Sequence, residues 1–147
     1  MGAYTSGADV FGLLLDLGVG PVARMTEADA EQIIAGLEGE VNGILKAQGY
    51  SAVPATSDAD KAMLGQQVRM KAAARVYVTL HQPQRSPDWV RTADIDWSEF
   101  LNRLRQGQQR LVDQEPAGED LPFFAVVRHP TRDDFFTERH STPDWDE

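Results

Sequence analysis

The residues best suited to chemistry gather near the end of this chain. The segment His129-Pro-Thr-Arg-Asp133-Asp134-Phe-Phe-Thr-Glu138-Arg-His140 mixes imidazoles with carboxylates, the donor types that can hold a divalent cation. Its spacing matches no familiar ligand set, and Arg128, Arg132 and Arg139 interleave with the acids, so charge pairing in solvent accounts for it and no metal is expected. There is no cysteine, which removes disulfides, thiolate nucleophiles, Cys-rich zinc sites and iron–sulfur clusters. Ser, His and Asp are all present, but no nucleophile elbow or similar device brings them together. The run Gly18-Val19-Gly20-Pro21 lies between two helical patterns and ends in proline, so it reads as a helix stop and not as a phosphate cradle. The expectation is a protein with no catalytic residues and no cofactor.

Two groupings suit recognition better than catalysis. Residues 61 to 87 carry Lys61, Arg69, Lys71, Arg75 and Arg85 and no acid, whereas residues 1 to 60 hold nine acids against Arg24 and Lys46. On a helical wheel Lys61, Lys71 and Arg75 fall within about 80° of one another. They can pair with acids of the preceding helix inside one subunit or with an acidic surface of another chain, where they would set orientation and association rate. Gly36, Gly39 and Gly43 form the second grouping, on one side of a predicted helix, at a cost of about 2–3 kcal/mol in propensity relative to alanine. Either the bundle tolerates a mediocre helix or another backbone approaches closely on that side, which favours a subunit interface.

The elements that must position these residues are helices. Ser6 and Asp9 precede Val10, Leu13, Leu14 and Leu17 at one-sided spacing, predicting a helix over 6–17 that Gly18, Gly20 and Pro21 end. Thr26, with Glu27 and Asp29 behind it, opens a second helix to about residue 48, whose apolar face is Ala30, Ile33, Ile34, Leu37, Val41, Ile44 and Leu45. Ser57, with Asp58 and Asp60, opens a third that runs to about Gln82 before Pro83. Its apolar and small residues cover more than half the circumference, so it belongs in the middle of a bundle. Residues 83–96 read as a loop. A fourth helix is predicted from Asp94 or Asp96 to Pro116, with Trp97, Phe100, Leu101, Leu104, Leu111 and Val112 on one face and a Glu99–Arg103 pair on the other.

After Pro116 the pattern changes. Residues 117–147 contain three prolines, eight acids, three arginines and no helical period, which describes an extended arm. Phe123, Phe124, Val126 and Val127 lie in the one credible strand of the chain, 123–127, and a lone strand needs a partner elsewhere. With Phe135, Phe136 and Trp145 they are the expected docking residues of the arm. Two similar tetrapeptides, Ser86-Pro87-Asp88-Trp89 and Thr142-Pro143-Asp144-Trp145, are expected outside helices, and a tryptophan at the acidic end is a typical anchor for a partner's pocket. The whole therefore reads as all-α, a four-helix bundle over 1–115 followed by an extended C-terminal arm over 116–147.

With 147 residues the chain can bury one ordinary core. A net charge of −9 suits neither a broad phosphate-gripping face nor tight nucleic-acid binding. No signal peptide and no apolar run near the roughly 18 residues of a membrane span is visible, which predicts a soluble protein made in the cytosol.

The opening Tyr4 to Leu17, the run Met25-Thr-Glu-Ala-Asp-Ala-Glu-Gln-Ile-Ile, the run Glu40-Val-Asn-Gly-Ile-Leu-Lys-Ala-Gln-Gly-Tyr50 with Pro54, and Val68 to Tyr77 together resemble the head-to-tail connector, or adaptor, proteins of tailed bacteriophages and gene transfer agents. The likeness covers about residues 4–115 and consists of helix and turn patterns. It implies a virion structural protein assembled in the bacterial cytoplasm and located in the virion neck. Its homo-oligomer would be a ring, commonly of twelve copies, beneath the portal protein. Such a ring extends the DNA channel, passes DNA without sequence-specific binding, and offers a platform to the downstream neck or tail completion protein. The competing reading is a small soluble helical regulator or interaction module that recruits one partner through its acidic tail.

Overall fold

In the computed structural model the described residues are 2–19, 24–112 and 114. By contact the chain divides into Met1–Ala117 and Gly118–Glu147, and every described residue belongs to the first unit. The strand expected over 123–127, the His129–His140 segment and the docking residues Phe123, Phe124, Val126, Val127, Phe135, Phe136 and Trp145 lie outside the described residues.

The unit is all-α, with four helices: α1 (Gly7–Asp16), α2 (Glu27–Ala47), α3 (Asp58–His81) and α4 (Asp88–Arg105). The first three begin where their capping residues put them. Ser6 with Asp9 and Thr26 with Asp29 form reciprocal capping boxes, and the Ser57 hydroxyl accepts the Asp60 amide. These bonds satisfy amides that the helix itself leaves unpaired. The Ser6 hydroxyl, foremost, holds the Asp9 carboxyl below the usual carboxylate range, and the Thr26 amide and hydroxyl do the same for Asp29.

α3 packs against each of the other three helices. Leu64, Val68, Ala72, Ala73 and Val76 are fully enclosed along it, and each fully buried Leu or Val side chain contributes about 1.5–3 kcal/mol. α2 turns Ala30, Ile34, Leu37, Val41 and Leu45 inward, and α1 contributes Val10 and Leu14. α4 closes the core with Trp97, Phe100, Leu101 and Leu104.

The fourth helix departs from the sequence expectation at both ends. It starts at Asp88, six or more residues early, because Pro87 sits at the N-cap, where its missing N–H removes no intrahelical bond. The tetrapeptide Ser86-Pro87-Asp88-Trp89 is thus a helix start, and the Trp89 ring meets Tyr77 edge-on at 5.3 Å between centroids. The helix ends at Arg105, well short of Pro116. Gly107, at φ 68°, turns the chain, and the amides of Gly107 and Gln108 bond to the carbonyls of Leu104 and Arg103. Leu111 still reaches the core, but from a returning strap, and Val112 is exposed instead of lying on an apolar helix face. Glu99 and Arg103 are exposed and do not pair; the ion pairs of α4 are Arg91–Asp88, Lys71–Asp94 and Arg105–Glu40.

Val68 and Val76 are fully buried on the helix that all others touch. Aspartate at either position would bury an unpaired carboxylate at several kcal/mol, against a total stability of about 5–15 kcal/mol. Val68→Asp and Val76→Asp should each lose far-UV helicity and cooperative melting; a wild-type melting temperature in both would overturn the packing described.

Candidate functional site

Before any surface can serve a partner, the non-helical segments must be fixed, and two buried carboxylates do this. Glu38 lies on the inward side of α2 and is 6% exposed. Its Oε2 accepts the Ala3 amide at 2.8 Å, and its Oε1 accepts the amides of Tyr4 at 2.8 Å and Thr5 at 3.4 Å. One turn on, Asn42 Oδ1 accepts the Tyr4 hydroxyl at 2.5 Å, and that hydroxyl accepts the Ala55 amide at 3.0 Å. Burial pushes the Tyr4 phenol above its ordinary pKa, opposed by the Ala55 bond. Glu31 Oε1 accepts the Gly7 amide at 2.6 Å, which holds the Glu31 carboxyl below its usual range.

The strap after α4 is tied to the start of α3. Val112 donates its amide to Asp60 Oδ1 at 2.7 Å, Leu111 donates to the Tyr50 hydroxyl at 3.3 Å, and the Gln114 side chain bonds both the amide and the carbonyl of Ala52. Asp60 is fully buried, and its Oδ2 has no hydrogen-bond partner. Sequence reasoning passes over Glu38 and Asn42, although their positions four residues after Ile34 and one after Val41 place them beside the apolar face. Asp60 passes as an ordinary first-turn acid.

The residues singled out from sequence occupy two surfaces. Gly36, Gly39 and Gly43 are exposed along α2, and a Cβ built on any of them meets nothing within 4 Å. Among the described residues no close approach explains them. Gly65 is the contrast: its Cβ would lie 2.5 Å from the Tyr4 carbonyl oxygen, so the N-terminal segment can cross α3 only over a glycine.

The basic residues of α3 differ in their surroundings. Lys71 pairs with Asp94 of α4, and its side chain is 14% exposed. Lys61 is half-buried, and Arg75 is exposed; neither forms an ion pair among the described residues. Lys71 and Arg75 line a groove of about 290 Å³ with Ile33 of α2, Ala74, Val78 and Thr79 of α3, and Asp94.

Among the described residues no three His, Cys, Asp or Glu side chains group as a metal site, and no helix is long and apolar enough to cross a membrane. No family model, no curated protein and no solved structure matches the chain.

Replacing Glu38 by alanine leaves the buried amides of Tyr4 and Thr5 without their acceptor, and should lower unfolding free energy by about 2–3 kcal/mol in urea. Amide exchange at Tyr4 and Thr5 should rise well above that of α3.

The glycines should respond in opposite directions. Gly39→Ala and Gly43→Ala should each raise the stability of the isolated protein by about 0.5–1 kcal/mol. Gly65→Ala should lower it by about 1–3 kcal/mol through the clash with Tyr4. Chemical denaturation of the three variants checks this sign pattern.

Proposed function

We propose that the protein is a virion structural protein, a head-to-tail connector that forms a ring under the portal, extends the DNA channel and carries the next neck or tail component. The observation that carries the reading is the exposed glycine face of α2. Gly36, Gly39 and Gly43 weaken the helix, and among the described residues nothing packs on them. A neighbouring subunit that needs close backbone approach would give that cost a purpose. The resemblance of residues 4–115 to connector proteins points the same way, and so does the acidity of the chain, since a conduit must let DNA slide. The arm over 116–147, with five aromatic residues among acids and prolines, is the attachment device in this reading: it docks on a neighbour or on the portal.

The alternative, a small interaction module with one partner, predicts a protein that stays small. Negative-stain imaging of the protein alone and with portal complexes separates the two, and rings are the expected outcome. Gly39→Leu and Gly43→Leu should leave the subunit folded and block ring formation or portal docking. Deleting 117–147 should leave a folded helical unit that no longer attaches stably, giving particles that fill with DNA and then leak it. Normal assembly of both leucine variants rejects the glycine face, and genome retention by the truncated protein rejects the arm as attachment device.

A further inference from the structure

The groove between α2, α3 and α4 combines an aliphatic lining with a cation, Arg75, that forms no ion pair among the described residues. Ile33 is half-buried, Ala74 is buried, and Val78 keeps 39% of its surface exposed, one of few large apolar side chains that do. At about 290 Å³ the space lies at the low end of ligand pockets, suited to one large side chain. Lys71 on its rim is held by Asp94, so those two charges offset each other locally. Arg75 is exposed and forms no ion pair among the described residues, and it leaves the rim positive on a chain whose net charge is −9. Thr79 does not compete for an incoming group through its hydroxyl proton, which it donates to the Arg75 carbonyl at 2.8 Å. The matching occupant is a segment with one bulky apolar residue set between carboxylates.

The chain ends in such a segment, Asp144-Trp145-Asp146-Glu147. We infer that the groove receives this terminus from a second copy of the chain, with Trp145 on the Ile33 and Val78 surface and its flanking carboxylates at Arg75. Beyond Gln114 the chain continues for 33 residues, which at about 3.3 Å each can span about 100 Å, far enough to reach another subunit. Apolar burial of the indole supplies affinity, and the Arg75 charge supplies orientation. The inference rests on the arm as attachment device and names the surface it attaches to.

The test is a fluorescence-anisotropy titration of a labelled peptide with the sequence of residues 138–147. The receptor is the full-length Trp145→Ala protein, whose own terminus competes poorly. Saturable binding is expected, about tenfold or more weaker when the receptor also carries Arg75→Glu or when the peptide tryptophan is alanine, and weaker in high salt. Because Arg75 is exposed and forms no ion pair among the described residues, Arg75→Glu should melt with the parent, and Arg75→Ala gives a milder version of the same loss. Absence of peptide binding, or equal binding to parent and Arg75→Glu receptors, overturns the groove. Rings by imaging without peptide binding would reject the groove and keep the connector reading; peptide binding without rings would do the reverse.

Discussion

The requirement to enclose α3 governs the architecture. Leu64, Val68, Ala72, Ala73, Ala74 and Val76 point in several directions around one helix, so a single neighbour cannot remove them from water. Three neighbours can. α1, α2 and α4 each contribute an apolar stripe of ordinary width, and each touches α3. The small residues of α3 let its neighbours approach closely, and Gly65 lets even a backbone carbonyl cross its surface.

Enclosing α3 also brings non-helical backbone to the ends of the bundle, where its polar groups need partners away from water. Glu38 serves the segment before α1, and Asp60 with Tyr50 serves the strap after α4. A carboxyl side chain suits this role because each of its oxygens can accept more than one amide. Tyr4 links these regions, since its amide, hydroxyl and carbonyl meet α2, the loop before α3, and α3 itself. The course of the strap through Leu111 and Val112 is therefore tied to the packing of α3.

What the subunit leaves unused on its surface bears on function. Among the described residues the glycine face of α2 meets nothing, and the groove by Arg75 sets apolar surface beside a charge without an ion-pair partner.

Helix identity was legible in the sequence wherever local chemistry decides it. Ser6, Thr26 and Ser57 mark their helix starts because a capping bond spans only three residues, and the apolar spacing of α2 and α3 follows from 3.6 residues per turn. The all-α class and the central place of α3 followed from the same signals. α4 was misplaced because Pro87 reads as a loop residue when its neighbours are unknown, although Gly107 already carried the signal for its end. Only the tertiary structure decided that Glu38 and Asp60 are buried acceptors, that Lys71 belongs to Asp94, and which glycines are crowded. Gly65 and Gly39 look alike in sequence, and the difference between them is a carbonyl from sixty residues away; contacts at that separation depend on how the helices pack, which no local pattern encodes.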